Sequence, residues 1–318
     1  MVSPNDVVMA YRLLLGREPE NDSVVQHHAQ ASPDLATLRR NFLQSAEFDF
    51  GAIPRLPTHL DLGTPMRVDV DVDDGLLGMM MDRIEVGWSY LGKVDPFWSV
   101  LSSDLFKVEN FNDNAKLFYN SARNEIDRMS TWLSRNGICD FGPGHTCSEY
   151  GCGTGRVTAE LASRFSRVLA YDISLPHLSL AEQYLQCCGH TNVSFQHVGS
   201  RKTLKNLEPT DMIFSFMVLQ HNPPPVISYV LTSLLESLKP SGIAYFQVPT
   251  YCSSYEFVAK KYVEQPARNE IEVHFLPQRH ILAIAKKAGC AVLEIQPDNF
   301  LGQPHCISNT FLLRKNAV

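Results

Sequence analysis

Apolar positions between residues 136 and 318 fall into short runs, and stretches with helical spacing separate these runs. The runs have the length of strands and predict seven of them: Thr146–Tyr150, Arg167–Asp172, Val193–Val198, Asp211–Leu219, Gly242–Pro249, Ala291–Pro297 and Ser308–Arg314. The stretches between them predict four main helices: Arg156–Phe165, Pro176–Cys188, Val226–Leu238 and Gln278–Lys287. Because strands alternate with helices, we expect an α/β domain at residues 136–318, built on a doubly wound, mostly parallel, seven-stranded sheet.

The first 50 residues carry a different pattern, in which apolar residues recur at helical spacing. Ser3-Pro4 is typical of a helix N-terminus, and Gly16 is placed to end the first helix. Apolar stripes lie at Val7, Val8, Tyr11, Leu14 and Leu15, and again at Leu35, Leu38, Phe42 and Leu43. We therefore expect an all-helical accessory domain at residues 1–50.

Two further segments lie between this domain and the predicted sheet. Residues 51–75 contain three prolines and an acidic run, Asp69–Gly75, and predict a solvated linker. The run is no calcium loop, because Asp74 and Met80 occupy the positions of the required glycine and glutamate. Residues 76–135 predict a helical cap rich in aromatic side chains. The cap either packs on the next domain or also forms a roof over a ligand.

Charge and composition narrow the function classes. The chain has 318 residues, with 28 Lys and Arg against 34 Asp and Glu, so it lacks the basic excess of a typical nucleic-acid enzyme. No apolar run approaches the roughly 18 residues of a membrane span, and the N-terminus shows no signal-peptide pattern, so we expect a cytoplasmic protein. The eight cysteines include no C-x-x-C pair and predict reduced thiols rather than a disulfide framework.

The strongest local motif lies between the first predicted strand of the sheet and the following helix. Ser148–Arg156 reads S-E-Y-G-C-G-T-G-R, and its glycines let the backbone turn sharply and approach a ligand closely. The spacing differs from a dinucleotide fingerprint, because the third glycine falls at Gly155 and not at Arg156. Asp172 ends the next predicted strand, 21 residues after Gly151, where a carboxylate can bind a ribose diol.

Four motifs in this order resemble those of class I S-adenosylmethionine-dependent methyltransferases, which have a Rossmann-like fold. Glu149–Gly155 is similar to the first motif and Asp172 to the second. Asp211–His221 is similar to the fourth-strand motif, and Leu238–Gly242 to the turn before the fifth strand. The resemblance covers residues 146–250 and implies S-adenosylmethionine as the cofactor.

The resemblance also implies which residues bind the cofactor. They are Glu149, Gly151, Cys152, Gly153, Thr154, Gly155, Asp172, Ile173, Ser200 and Phe216. The chain departs from the family after the third predicted strand, where many relatives place an acidic contact to adenine. Val198-Gly199-Ser200 occupies that place, so the adenine contact stays open between Ser200 and backbone groups.

Methyl transfer to a hydroxyl group usually requires a general base, and two histidines are candidates for this role. His221 ends the fourth-strand motif, beside the place where the resemblance puts the methyl group. His274 lies in a region where related enzymes often place acceptor contacts. For each, the alternative is a histidine that only shapes its loop. Trp98, Tyr119 and His305 are weaker candidates for substrate contact, and no metal site is predicted.

The outer segments bear on the acceptor. Tyr11–Pro19 and Phe42–Phe48 resemble a short helical domain of unassigned function in bacterial surface-layer and glycan-related proteins. Asp95–Leu101 and Phe118–Glu125 resemble the helical cap of a bacterial methyltransferase subgroup, some of whose members sit in polysaccharide and secondary-metabolite gene clusters. These resemblances favour O-methylation of a sugar, polysaccharide or nucleotide-sugar, with a protein or glycan partner for residues 1–50.

Three other functions stay open. The chain could O- or N-methylate another small metabolite, or it could be a scaffold that holds the cofactor without turnover. An NAD-dependent oxidoreductase is the remote third alternative. Neither a nucleic-acid partner nor a membrane span is expected.

Overall fold

The computed structural model describes residues 2–43, 45, 64–138, 143–199, 201–253, 255–266, 270–298, 300–303 and 305–317. The chain divides into two compact units, Met1–Thr58 and His59–Val318.

Within residues 2–43, the first unit contains three α-helices: α1 (Pro4–Ala10), α2 (Asp22–Ala31) and α3 (Leu35–Leu43). Ser3 and Asp6 form a capping box at the start of α1, which satisfies backbone N–H groups of its first turn. A wider π-helical turn, Tyr11–Leu15, extends α1 and ends at Gly16. Tyr11, Val25 and Phe42 are buried in the common core, so the helical prediction agrees with the structure over residues 2–43.

The second unit begins its described part with residues that sequence patterns assigned to the linker. The short strand β1 (Arg67–Val68) pairs with β7 (Glu256–Phe257), and the buried Met66 and Val70 flank it. The acidic residues here cap helices: Asp73 accepts N–H bonds at the start of α4 (Asp74–Val94), and Asp69 accepts the N–H of Ala259. Residues 64–75 therefore differ from the predicted solvated linker, because they pair with β7, bury Met66 and Val70 and cap two helices, although their carboxylates are exposed.

The predicted cap contains four helices: α4, α5 (Pro96–Val100), α6 (Phe111–Asn120) and α7 (Ala122–Arg135). A single 3-10 turn, Asp104–Phe106, lies between α5 and α6. Most of the aromatic rings here pack on one another, as in the parallel stack of Phe97 on Phe111 at 3.3 Å. Phe118 is fully buried against both rings. The aromatic residues of the cap thus serve mainly as its own core.

Among the described residues, seven strands form one sheet in the order β4-β3-β2-β5-β6-β9-β8. Their bounds are Thr146–Tyr150 (β2), Arg167–Asp172 (β3), Val193–His197 (β4), Thr210–Ser215 (β5), Leu238–Cys252 (β6), Cys290–Asp298 (β8) and Cys306–Lys315 (β9). The first five strands of this order are parallel, and β9 runs antiparallel to both of its neighbours. The predicted doubly wound, mostly parallel sheet is confirmed.

Helices cover both faces of this sheet. One face carries α7, α8 (Arg156–Ala162) and α9 (Leu175–Cys187), whose apolar residues share a core with Cys147, Val168 and Met212. The other face carries α4, α11 (Pro224–Ser237) and α13 (Gln278–Lys287), which pack on Leu169 and Phe246. The short helices α10 (Arg201–Lys205) and α12 (Ala259–Glu264) complete the unit.

The order of the strands fixes where a ligand can bind. The chain goes outward from β2 through β3 to β4, and then returns to the other side of β2 at β5. The carboxyl ends of β2, β3 and β5 therefore meet at the point where the strand order reverses. Open α/β sheets bind ligands in the crevice at such a point.

Candidate active site

The loop after β2 turns sharply because its backbone is held in a form that favours glycine. Gly151 has φ +81°, and the N–H groups of Gly151 and Cys152 donate to the carbonyl oxygen of Tyr171 at 2.7 and 3.1 Å. A Cβ atom on Gly151 would lie 2.2 Å from Cγ1 of Val218. Any other residue would therefore be strained and would also collide with the loop after β5.

Val218 reaches this position because the backbone reverses soon after the end of β5 (Thr210–Ser215), which is shorter than the predicted strand. The strand ends at Ser215, not at Leu219, and Met217 then takes a left-handed backbone conformation with φ +57°. A 3-10 turn, Leu219–His221, follows. The reversal at Met217 moves the end of the apolar run off the sheet and over the glycine loop.

Asp172 joins the glycine loop to the end of β3. Its Oδ2 atom accepts the N–H of Gly153 at 2.8 Å, and its Oδ1 atom accepts the N–H of Ser174 at 2.8 Å. A carboxylate offers about four lone-pair sites, so two remain for a ligand. The carboxylate is 8% exposed and lines the cleft. It can therefore accept hydrogen bonds from a vicinal diol without losing its contacts to the loop.

Glu149 is a buried carboxyl group in the cleft. The residue is 3% exposed, and its Oε2 has no hydrogen-bond partner among the described residues. Burial is the main cause that raises the pKa of Glu149 to about 7, and the Thr158 hydroxyl and then the Arg156 charge oppose the rise. A buried carboxylate without a partner is costly, and a cationic ligand would relieve this cost.

Arg156 does not supply that charge directly, because Glu125 and Ser121 hold it. Its two Nη atoms lie 3.2 Å from the Glu125 carboxylate, and Nη1 also lies 3.0 Å from Ser121 Oγ. Both members of the ion pair are largely buried, at 8% and 14% side-chain exposure. The pair ties α7 to Arg156, the first residue of α8, which also lines the cleft.

One cleft collects most of the predicted cofactor residues. It is lined by Ile84, Trp88, Ser99, Val100, Leu101, Glu149, Tyr150, Gly151, Cys152, Gly153, Arg156, Val157, Asp172, Ile173, His177, Phe214, Phe216, Met217, Val218, His221 and Asn222. Of the ten predicted cofactor residues, Thr154 and Gly155 do not line it: Thr154 is fully buried, and Gly155 begins α8 with φ +83°. Ser200 lies outside the described residues.

His221 lies on the wall of this cleft opposite the glycine loop. Its ring packs on Trp88 at 5.3 Å. Nδ1 lies 2.8 Å from the Glu272 carbonyl oxygen, which can only accept, so Nδ1 carries the proton. Nε2 is then an acceptor, 3.2 Å from Nε2 of Gln220. Burial lowers the pKa of His221 to about 4, so the ring is neutral at pH 7.

His274 is buried but does not line the cleft as described. Its Nδ1 lies 2.8 Å from the Tyr255 hydroxyl, and its Nε2 lies 3.3 Å from Oε2 of Glu272. Tyr262 donates its hydroxyl to the same Oε2 at 2.7 Å, and Arg83 lies 3.4 Å from Oε1. We call these five residues the Glu272 network.

The Glu272 network stabilises the ionised form of the Glu272 carboxyl group. Burial opposes ionisation of Glu272, but hydrogen bonds from His274 and Tyr262 outweigh it and lower the pKa of the carboxyl to about 2. The N–H of His274 also donates to the Gln220 carbonyl at 2.7 Å. The network therefore fixes the segment that presents the Glu272 carbonyl to His221.

The three predicted substrate contacts lie elsewhere. In the part of the chain that the structure describes, none of them lines the cleft. Trp98 is half-buried in α5, Tyr119 stacks on Tyr184 at 3.5 Å, and His305 is exposed. Neighbouring sequence motifs suggested these three residues, but their side chains do not line the cleft.

Sequence analysis missed His177, which lies in α9 and lines the cleft. It is 1% exposed, with Nδ1 2.8 Å from Ser174 Oγ and Nε2 2.9 Å from Ser99 Oγ. A Cβ atom on Gly92 would lie 2.7 Å from Nδ1. His177 thus fastens α4 and α5 to the loop after Asp172. The only sequence signal was its place three residues after the Ser174 helix cap.

Two kinds of site have no support in the structure. Among the described residues, no group of three or more histidines, cysteines or carboxylates could hold a metal ion. Within the same ranges, no helix combines the length and the apolar character that crossing a membrane requires.

Comparisons with known proteins give the fold and the domain type. Residues 148–242 match the family model of a methyltransferase domain. Magnesium protoporphyrin IX methyltransferase from Synechocystis PCC 6803, solved with bound SAH, aligns with a TM-score of 0.51 at 14% identity, over 74% of this chain and 100% of that one. A methyltransferase from Clostridium acetobutylicum aligns with a TM-score of 0.44 at 15% identity, over 65% and 99%.

No curated protein sequence matches the chain significantly. The domain match makes residues 148–242 a methyltransferase domain, and the structural match shows the class I methyltransferase fold.

Proposed function

We propose that this methyltransferase uses S-adenosylmethionine as its cofactor and methylates a hydroxyl group of a sugar, polysaccharide or nucleotide-sugar. The methyltransferase domain supports the reaction class, and a similar solved methyltransferase with bound SAH supports the cofactor. The choice of a sugar hydroxyl as the acceptor rests on the residues of the cleft near His221.

The residues of the cleft fit S-adenosylmethionine at two places. Oε2 of Glu149 is buried without a partner, and it suits the ammonium group of the methionine part. Asp172 keeps acceptor sites for the ribose hydroxyls at the end of β3. When bound, the cofactor supplies an electrophilic methyl group on a sulfonium, which is its own leaving group.

His221 is the residue proposed to act on the acceptor. Its Nδ1 proton is held by the Glu272 carbonyl, so Nε2 is the accepting atom. Nε2 accepts from the Gln220 amide nitrogen at 3.2 Å in the free protein, and an acceptor hydroxyl displaces this contact. Because the pKa of His221 is lowered to about 4, this lone pair stays free of protons at neutral pH. His221 then orients the acceptor and takes up the hydroxyl proton at Nε2 as the methyl group is transferred.

His274, the other proposed catalytic histidine, has a different role in this account. Both of its ring nitrogens have partners, Tyr255 and Glu272, and it does not line the cleft as described. We propose that it positions the loop whose carbonyl fixes the tautomer of His221.

The wall around His221 supports a polar acceptor with an apolar face. Trp88 offers a half-buried ring next to His221, and Asn222 lies on the same cleft. The Asn222 amide nitrogen donates to the Val218 carbonyl at 3.2 Å, so its oxygen is left as an acceptor. An aromatic ring beside hydrogen-bonding groups suits a sugar, whose ring has both apolar and hydroxyl-bearing faces.

One observation carries the proposal more than any other. A single cleft at the carboxyl ends of β2, β3 and β5 combines the glycine loop, the unpaired Glu149 carboxylate and Asp172. Glu149 and Asp172 account for the ammonium and ribose groups of the cofactor, and His221 and Trp88 remain on the same cleft for the acceptor.

The test is transfer of a labelled methyl group. The full chain is incubated with S-adenosylmethionine carrying a labelled methyl and with panels of monosaccharides, nucleotide-sugars, oligosaccharides and amine metabolites. Label in a sugar hydroxyl ether, together with S-adenosylhomocysteine formation, supports the proposal. Label only in amines supports a metabolite methyltransferase instead, and binding of the cofactor without transfer to any panel supports a scaffold.

The first unit and the location belong to the same proposal. We propose that the chain acts in the bacterial cytoplasm and that Met1–Thr58 binds a protein or glycan partner. The resemblance of Tyr11–Pro19 to a helical domain of glycan-related proteins supports such a role.

A further inference from the structure

Two cysteines face each other across the antiparallel pair β6–β9. Cys252 is the last residue of β6, Cys306 is the first residue of β9, and the register places them directly opposite. The N–H of Cys252 donates to Sδ of Met66, and the N–H of Cys306 donates to the Gln303 carbonyl. Cys252 and Cys306 therefore do not donate to each other, as in a non-hydrogen-bonded pair, whose Cα atoms lie about 4.5 Å apart.

This spacing suits a disulfide. Bridged cysteines have Cα separations of about 4.4–6.8 Å, and a non-hydrogen-bonded antiparallel pair falls inside this range. Because Cys252 is only half-buried, a bridge here is open to reducing thiols, which is typical of reversible disulfides.

The surroundings give the two thiols different reactivity. Cys306 is 5% exposed and packs on Met66 and Phe275, whereas Cys252 is half-buried. Burial, and then the hydrogen bond with the Cys252 thiol, raise the pKa of Cys306 to about 12. The more accessible Cys252 is thus the thiol that a reagent meets first, and Cys306 is placed to attack it second.

We propose that Cys252 and Cys306 form a reversible disulfide with a low-molecular-weight disulfide as the oxidant. This modification site is independent of methyl transfer. The sequence pattern did not suggest it, because the two cysteines are far apart in the chain and form no C-x-x-C motif.

The exchange balances without any further reagent. The Cys252 thiolate attacks glutathione disulfide, forms a mixed disulfide and releases one glutathione thiolate. The Cys306 thiolate then attacks the Cys252 sulfur, forms the protein disulfide and releases the second glutathione. The two protons of the protein thiols pass to the two glutathione thiolates. Two protein thiols are oxidised, and one glutathione disulfide is reduced to two thiols.

The bond would link two strand ends next to the loop that supports His221. Phe275 packs on Cys306, and the N–H of Leu276 donates to the Pro249 carbonyl at 3.0 Å. Oxidation therefore ties both sides of the Phe275 contact and reduces amide hydrogen exchange in residues 250–253 and 305–307.

The test uses the folded full chain and glutathione disulfide. After alkylation of free thiols, a non-reducing peptide map is expected to show a Cys252–Cys306 peptide pair that dithiothreitol removes. The rate is expected to rise with pH, because the thiolate is the nucleophile. Cys252→Ser and Cys306→Ser abolish the pair, whereas Cys290→Ser, which changes a buried cysteine elsewhere in the sheet, leaves it unchanged.

Two results would overturn the proposal. One is a folded protein in which only the exposed Cys187 and Cys188 react and no Cys252–Cys306 pair forms. The other is a pair that forms only after unfolding in urea. Circular dichroism of each serine variant confirms the folded state, and a Cys187→Ser, Cys188→Ser double variant that still forms the pair excludes shuffling through these exposed thiols.

Discussion

The glycine-loop side of the cleft and the Glu272 network behind His221 differ in how they satisfy their polar groups. In the cleft, Glu149 has an oxygen without a partner among the described residues, and Asp172 keeps free acceptor sites. The Glu272 network, which lies outside the cleft lining, pairs both of its carboxylate oxygens, and both ring nitrogens of His274 have partners.

The difference separates binding groups from supporting groups. A buried carboxylate that lacks a partner weakens the free protein and is retained where a ligand completes it. A carboxylate with several protein partners gains nothing from a ligand and holds its neighbours in place. We infer that Glu149 and Asp172 contact the cofactor, and that Glu272 and His274 act through His221.

The largest effect is expected from the buried ion pair between Arg156 and Glu125. Glu125→Gln leaves the buried Arg156 charge uncompensated, and we expect a loss of about 3 kcal/mol or more in the free energy of unfolding. Urea denaturation measures it. The matched control is Glu160→Gln, whose partner Arg123 is 67% exposed, with an expected loss below about 1 kcal/mol. Equal losses in the two variants would contradict the account.

The second effect is on cofactor affinity at the end of β3. Asp172→Asn removes the charge that accepts the ribose hydroxyls, and we expect S-adenosylhomocysteine to bind about 10- to 100-fold more weakly, from the roughly 1.5–3 kcal/mol of such hydrogen bonds. Asp69→Asn is the matched control, because Asp69 also accepts a backbone N–H but lies outside the cleft. Unchanged affinity in the Asp172 variant would remove Asp172 from the binding site.

The third effect concerns the pH dependence caused by Glu149. Its pKa is raised from 4.5 to about 7, so the folded chain keeps a proton that the unfolded chain has lost between these values. The free energy of unfolding therefore falls as the pH rises through this window. We expect Glu149→Gln to remove this fall and to be about 3 kcal/mol more stable at pH 8, because each pH unit of the window is worth about 1.4 kcal/mol.

The same variant separates stability from binding. Glu149→Gln is expected to bind S-adenosylhomocysteine more weakly at pH 8, although it is more stable there, because it cannot pair with the ligand ammonium. Thermal unfolding and calorimetry at pH 5, 6, 7 and 8 provide both readouts. A variant that gains stability and also keeps full affinity would show that Glu149 is not a ligand contact.

The smallest effect on binding is expected from a change in the Glu272 network. His274→Asn removes a partner of Glu272 and is expected to lower the melting temperature, but to change the affinity for S-adenosylhomocysteine by less than about threefold, since His274 does not line the cleft as described. A large loss of affinity would place His274 in the binding site itself.

The sequence predicted the parts that neighbouring residues determine. The bounds of β2 and β3 match the predicted ones, and each strand ends at a local signal, β2 just before Gly151 and β3 at Asp172. The glycine loop and Asp172 were found because each motif is local. The length of β5 was overestimated, since no pattern of apolar residues reveals the left-handed turn at Met217.

The missed features depend on contacts between distant parts of the chain. Arg156 and Glu125 lie on different helices and are 31 residues apart in the chain. Asp69 and Ala259, whose N–H it accepts, are 190 residues apart. The contacts of His177 with Ser99 and Gly92 likewise appear only after α4 and α5 pack on α9. Such contacts follow from tertiary packing, which local periodicity does not encode.

The central claim is that the cleft binds a nucleoside with a cationic methionine part. Isothermal titration calorimetry of the full chain with S-adenosylhomocysteine and, separately, with NAD tests it most directly. The account predicts saturable one-site binding of S-adenosylhomocysteine and no heat from NAD. Binding of NAD with no heat from S-adenosylhomocysteine would contradict it.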